Sequence, residues 1–311
     1  MKEPLVSISC ITFNHENYIR DALEGFLMQK TDFDFEILIH DDASTDGTQK
    51  IIEEYAGKYP EIIKPILETE NQYVKGRRGS LVFNIPRAKG RYIAFCEGDD
   101  YWTDPRKLQK QVDFLEKNKD FIACVHRVKI MAEEGRTVDD EYISPPDIIR
   151  TKDLYTGWLF HINSLLVRNI REEFVQWSSS MYIDTAFSIM ISQYGKIKGL
   201  PDVMSVYRKH TSGLSGSQEN MATRLEKELK IIKAIKKELG RKFFLGNLYL
   251  SAKQHERFAL ISPEIYKHPL LIKIKYFIIL TILTGIMFPH RLRNRGYVLK
   301  IILKGERRNW Y

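Results

Sequence analysis

Over the first 130 residues, β-rich apolar runs alternate with segments of helical period, and this alternation constrains the fold more than any other feature of the chain. Residues 5–12 (LVSISCIT) read as a strand, and within 18–28 Ile19, Leu23, Phe26 and Leu27 recur on one helical face. A second strand at 35–40 (FEILIH) precedes a helix over 49–59 that stops at Pro60, with Ser44 or Thr45 as its cap. A third strand at 62–67, a short helix at 81–88, a strand at 92–96, a helix at 107–117 and a strand at 121–130 complete the series. Such a series predicts an α/β fold with a mostly parallel central sheet flanked by helices.

Residues 132–150 break the pattern with acids, glycine and Pro145-Pro146, and predict a surface loop or a flap over the site. A strand at 162–168, a helix at 183–194 and a strand at 203–207 follow. Beyond Ser217 the chain reads as helices over 221–239 and 243–259 and then an apolar stretch. The division expected is a catalytic α/β domain over 1–217 and a helical, basic appendage over 218–311.

Acids cluster where strands end: Asp41-Asp42 after the second, Asp99-Asp100 after the fourth, and Asp184 at a helix start. In an open α/β sheet the carboxyl ends of the strands form the ligand crevice, so acids distant in sequence converge there. Each has a plain structural role open to it, since Asp41-Asp42 suits a turn and Asp184 suits a helix cap. Adjacent carboxylates after a buried strand repel one another unless a cation or donors neutralise them, and hard oxygen ligands suit Mg²⁺ or Mn²⁺. Neither a dinucleotide-binding G-x-G-x-x-G nor a P-loop is present to explain the α/β pattern.

The formal charge of +8 sits in one place. From His268 onward nine basic residues face one acid, Glu306, while the first 267 residues balance. A nucleic-acid binder spreads its basic residues over the folded body; a basic tail around the apolar run 276–288 suits an anionic membrane surface or plain solvent. Cys10, Cys96 and Cys124 lie in apolar runs and read as buried thiols, and with no export signal at the start a cytoplasmic setting is expected.

Four segments in order, SISCITFN at 7–14, DDASTDGT at 41–48, AKGRYI at 88–93 and EGDDYW at 97–102, resemble the family 2 glycosyltransferases of the GT-A fold. The resemblance spans roughly residues 4–215. It implies that Thr12, Phe13 and Asn14 line a nucleotide pocket and that Asp42 accepts from uracil N3–H. It also implies that Asp99 and Asp100 form the metal motif, with Asp99 toward the ribose or sugar and Asp100 toward the ion. Asp184 matches the catalytic base, and Arg208 or His210 matches a late loop that closes on the diphosphate, His210 as a further metal ligand.

The activity so implied is inverting transfer from a UDP-sugar, assisted by Mg²⁺ or Mn²⁺, to a glycan or lipid-linked acceptor beside an anionic membrane, with no nucleic acid involved. Arg77 and Arg78, after Gly76, suit either a phosphate clamp or solvent, and residues 158–161 are the expected acceptor contact. His15, His40, His126 and His161 lack metal-ligand spacing and read as pocket lining or structural residues. Two other classes were weighed: a catalytically silent nucleotide-sugar-binding scaffold, which the intact acids oppose, and a nucleotidyltransferase. The latter opens with a glycine-rich basic loop, where this chain has Thr12-Phe13-Asn14-His15-Glu16.

Overall fold

A computed structural model describes residues 3–77, 79–132, 141–154, 159–176 and 184–210, the last two residues of 159–176 and the first two of 184–210 by backbone alone. All belong to one unit, Met1–Ser217; the second unit of the chain, Gln218–Tyr311, lies outside the described residues, as do the expected helices and apolar run there. In chain order the elements are β1 (Val6–Thr12), α1 (Ile19–Leu27), β2 (Phe35–Asp41), α2 (Thr48–Lys58), β3 (Ile63–Leu67), α3 (Ser80–Phe83) and β4 (Tyr92–Phe95). Then come β5 (Tyr101–Trp102), α4 (Lys107–Lys117), β6 (Phe121–Ala132), β7 (Tyr142–Ile143), β8 (Ile148–Ile149) and α5 (Thr151–Leu154). The last are β9 (Leu166–Arg168), α6 (Arg171–Gln176), α7 (Asp184–Ile191) and β10 (Lys196–Lys209).

The strands form one sheet in the order β3-β2-β1-β4-β9-β6-β10-β5, with β7 paired to β6 and β8 to β10. Strands β1 to β4 pair in parallel, as their intervening helices require. Strand β9 then runs antiparallel to both β4 and β6, and β6 pairs in parallel with β10, so β6 and β10 point the same way as β1 to β4. The sheet is thus mixed with a mostly parallel sense, β9 and β5 being the reversals along that path.

Several expectations shift in detail. The strand expected over 162–168 opens as a 3-10 turn, Ile162–Ser164, and only Leu166–Arg168 is extended. Strand β10 is much longer than 203–207, because the chain passes Pro201 by register shifts between Leu200 and Ser205 that tolerate a residue with no N–H. The stretch read as a loop after Ala132 contributes β7 and β8; residues 133–140, where a flap was expected, lie outside the described residues. Neither Ser44 nor Thr45 caps α2: the Thr48 N–H donates to Asp46 Oδ1 at 3.0 Å, and Ser44 and Thr45 turn toward Asp41 and Asn14 instead.

The core forms between the sheet and α1, α2 and α4. Val6, Ile8 and Cys10 on β1 pack with Ile37 and Ile39 on β2 and Tyr92 and Ala94 on β4, beneath Ile19, Leu23 and Phe26 of α1. Phe26 meets Trp102 edge to face at 4.8 Å. A buried polar knot accounts for the Lys89-Gly90 approach to β4: Ser7 Oγ and the Lys89 N–H both donate to Glu36 Oε1, and the Gly90 N–H donates to Ser7 Oγ at 2.8 Å. A Cβ on Gly90 would lie 2.4 Å from the Ser7 nitrogen, so only glycine fits there.

Lys107 opens α4 fully buried, its Nζ donating to Gln111 Oε1 at 2.8 Å and lying 4.0 Å from the Trp102 ring centroid. Burial pulls its pKa from 10.5 down to about 7, against the small opposing influence of Cys96 and Cys124. Between those values the unfolded chain holds a proton that the folded chain has released, so stability rises with pH through this window. We expect a gain of about 2–3 kcal/mol between pH 7 and pH 9 that Lys107→Met abolishes, and at pH 6 the variant should equal or exceed the parent. Urea midpoints at three pH values test this.

Candidate active site

The site assembles where β1, β2 and β4 end. Beyond β1 and β2, Asn14 and Ala43 both adopt left-handed backbone, with φ of 56° and 62°, which turns the two loops toward each other. Asn14 Oδ1 accepts from the Thr45 N–H at 2.8 Å, the Asn14 N–H donates to Ser44 Oγ at 2.8 Å, and the His15 N–H donates to Thr48 Oγ1 at 2.8 Å. Gly47 N–H donates to Glu16 Oε2 at 2.7 Å, closing the lace. Asn14 is therefore a loop fastener by its side chain, while Thr12 is buried and Phe13 is 43% exposed beside it.

The two acids after β2 divide. Asp41 is buried and takes donors from Ser44 and from Gln49 Nε2 at 2.6 Å, a structural role. Asp42 accepts from the Gln72 N–H at 2.6 Å and the Tyr73 N–H at 3.1 Å, and its own N–H donates to Thr12 O at 3.0 Å. It thereby holds the 71–73 turn over the end of β2, a partner that no local sequence signal announces.

Gly98 brings the Glu97–Asp100 turn against β1. Its N–H donates to Ile11 O at 3.0 Å, and a Cβ on it would lie 2.7 Å from Thr12 Oγ1, so side chains are excluded at this crossing. Asp100 beyond it is 1% exposed. The antiparallel pairing of β5 with β10 sets Val206 opposite Tyr101, which carries Arg208 past the acids. The Arg208 N–H donates to Asp100 Oδ1 at 3.0 Å, and Asn163 Nδ2 donates to Asp100 Oδ2 at 2.9 Å. Burial, and then the charge of Asp99, push the Asp100 pKa well above the usual carboxylate range.

Asp99 differs. Its Oδ2 lies 3.1 Å from His210 Nε2 and 3.7 Å from His15 Nε2, while its buried Oδ1 has no hydrogen-bond partner. Burial opposes its charge, yet the His210 hydrogen bond and the two imidazoles hold its carboxyl below the usual range. Ligand atoms of Glu97, Asp99 and Asp100, and likewise those of His15, Asp99 and His210, lie within 4.8 Å of one another. Together with the unpartnered Asp99 oxygen, this donor set fits a divalent cation.

Arg208 donates to Asp21 and, at 3.1 Å, to Asp99 O, its guanidinium 4.3 Å from the Tyr101 ring centroid. The contacts thus join Thr12, Asp42, Asp99, Asp100, Arg208 and His210 in one crevice, together with His15, which spacing alone assigned to pocket lining. Asp184 is the first residue of α7, its side chain outside the described residues; Arg78 and Trp158 lie outside them altogether. Arg77 donates to Gln72 Oε1 at 3.3 Å and lies over Phe83. His161 stacks on Tyr207 at 4.1 Å with Nδ1 3.5 Å from Asp100 Oδ2, and burial lowers its pKa to about 4.

Asn163 is the residue that sequence reasoning missed. It is fully buried; besides Asp100 it donates to Val206 O at 3.1 Å, accepts from Ser205 Oγ at 2.9 Å, and takes the Trp102 Nε1–H on its carbonyl at 3.0 Å. Only its position inside an apolar strand-like run hinted at a satisfied polar hub.

The family model described as glycosyl transferase family 2 matches residues 7–209. The chain belongs to that family. Its sheet is that of the GT-A fold. An uncharacterised Mycobacterium tuberculosis protein is 38% identical over 224 residues, which are 67% of this chain and 60% of that one; the chain spans about 60% of the length of such curated relatives. The UDP-Glc:α-D-GlcNAc-diphosphoundecaprenol β-1,3-glucosyltransferase WfaP of Escherichia coli is 35% identical over 144 residues, 46% of this chain and 53% of its own. The S. aureus protein TarS, in its crystal structure with UDP-GlcNAc, superposes with a TM-score of 0.59 at 19% identity, covering 96% of this chain and 87% of that one. At that identity it speaks for the fold alone.

Asn163→Ala leaves Asp100 Oδ2, Ser205 Oγ and Val206 O each short of a partner in a buried setting. We expect a loss of more than about 2 kcal/mol in urea denaturation, against about 1 kcal/mol or less for Asn14→Ala in the more exposed lace.

Proposed function

We propose that the chain is an inverting glycosyltransferase that moves a sugar from a UDP-sugar to a hydroxyl of a glycan or lipid-linked acceptor during cell-surface polysaccharide synthesis. The observation that carries this reading is the meeting of Asp42, Asp99, Asp100, Arg208 and His210 at the carboxyl ends of three parallel strands. The UDP-sugar and the diphosphoundecaprenol acceptor in the name of WfaP support the substrate class, and so does UDP-GlcNAc with TarS.

In this reading Thr12, Phe13, Asn14 and Asp42 receive the uridine, Asp42 accepting from the base through a carboxylate already aimed by Gln72 and Tyr73. Asp99 and His210, with Glu97 beside them, would hold a Mg²⁺ or Mn²⁺ ion, which would supply positive charge against the leaving diphosphate. Asp100, each of whose oxygens accepts one protein hydrogen bond, fixes Asp99 and the Arg208 backbone and keeps a lone pair on each oxygen for the ion. The Arg208 guanidinium meets the phosphates once it exchanges Asp21 for them, and Arg78 is the second cation this reading offers them. Asp184, opening α7, takes the proton of the attacking hydroxyl, and one base on the face opposite the leaving group gives a single inverting displacement.

A nucleotide-release screen of UDP-sugars, with and without Mg²⁺ or Mn²⁺, tests the reading, and full turnover in excess EDTA overturns its metal part. Asp184→Asn should keep UDP affinity within a few fold while lowering transfer about 10²–10⁴-fold. Normal transfer by that variant places the base elsewhere.

No helix of the described residues is long and apolar enough to cross a membrane. The apolar run 276–288, thirteen residues between Lys273 and Lys275 on one side and Arg291, Arg293 and Arg295 on the other, is short for a span of about 20. We infer that it lies in the interface of an anionic cytoplasmic leaflet, beside a lipid-linked acceptor. The full chain should float with anionic vesicles at low salt, and truncation after Pro269 should abolish flotation; failure of the full chain to float removes the membrane contact and leaves the transfer reading intact.

A further inference from the structure

The transfer scheme leaves His15 without a task, although the fold takes trouble to aim it. Its N–H is held by Thr48 Oγ1, the residue before it is fixed in left-handed backbone, and its ring stands edge-on to Tyr18 and His210 at 6.3 and 6.2 Å. Its Nε2 points to Asp99 Oδ2 at 3.7 Å, the same oxygen that His210 Nε2 approaches at 3.1 Å. His15 Nδ1 and Asp99 Oδ1 are buried without hydrogen-bond partners.

Two imidazole nitrogens converging on one carboxylate oxygen are spaced as neighbouring donors in a metal shell are. Bonds of about 2.1 Å put adjacent donors of an octahedral ion about 3.0 Å apart, and those of a tetrahedral ion somewhat further. The alternative set of Glu97, Asp99 and Asp100 shares Asp99 and is all oxygen, each Asp100 oxygen already accepting one hydrogen bond, from the Arg208 N–H and from Asn163. The two sets differ in what they select. Mg²⁺ takes oxygen ligands and keeps its waters, whereas two imidazoles with one carboxylate suit first-row transition ions from Mn²⁺ to Zn²⁺.

We propose that His15 is a third protein ligand, completing a set of two imidazoles and one carboxylate with His210 and Asp99, and that it makes the site select a transition-metal ion such as Mn²⁺ over Mg²⁺. This rests on the metal site of the proposed function and adds a ligand and a selectivity to it. His15, beyond the end of β1, thereby links the lace of the β1 and β2 loops to the ion.

The test uses the full chain with Mn²⁺, alone and with UDP. Pulsed EPR should show couplings to two imidazole ¹⁴N nuclei in the parent and to one in His15→Gln. Calorimetry should show Mn²⁺ affinity falling about tenfold or more in His15→Gln while Mg²⁺ affinity changes less than about twofold, so that the preference for Mn²⁺ collapses. A single nitrogen coupling in the parent, or a variant that keeps both the affinity and the two couplings, overturns the role of His15 and leaves metal binding by Asp99 and His210 standing. Absence of any saturable Mn²⁺ binding by the parent overturns the metal site itself, and this proposal with it.

Discussion

Asp100 is a carboxylate with 1% of its surface exposed, and a buried acid of this kind is tolerated only where donors meet it from several sides. The donors come from two segments far away in the chain, the side chain of Asn163 and the backbone of Arg208. Satisfying that one group therefore joins the end of β4 to β10 and to the turn before β9. Asn163 extends the joint through Trp102 and Ser205, so that the rigidity of the Asp99-Asp100 turn and the placement of Arg208 and His210 have a common origin.

Fixing Asp100 sets its neighbour free for other work. Side chains of adjacent residues leave the backbone in different directions, so Asp99 faces the crevice with one oxygen near two imidazoles and the other unpartnered. Two carboxylates side by side thus take opposite electrostatic characters: Asp100 is pushed up by burial and by Asp99, and Asp99 is held down by His210 despite its own burial. The same division recurs after β2, where Asp41 is committed to its turn and Asp42 faces the loop of Gln72 and Tyr73.

Behind the motif the packing continues the same logic. Lys107 lies under Trp102, whose other edge meets Phe26 of α1 and whose indole N–H reaches Asn163. The Lys107 amine thus stands one ring contact and two hydrogen bonds from Asp100, and its partner Gln111 donates to Cys124 O and Ser164 O.

Much of the architecture was legible in the sequence because it is encoded locally. The parallel strands β1 to β4, the helices α1, α2 and α4 and the acids at strand ends follow from hydrophobic period and from stop signals such as Pro60. The four ordered motifs carried the family. What the sequence could not disclose is whatever depends on contacts between distant segments. The reversal of β9, the passage of β10 across Pro201, the turning of Thr45 to Asn14 in place of capping α2, and the meeting of His15 with Asp99 are decided by pairing and burial across dozens of residues. Asn163 is the clearest instance: one amide in an apolar stretch has no local signature. Only the tertiary fold, by withdrawing Asp100 from water, gives that amide something it must do.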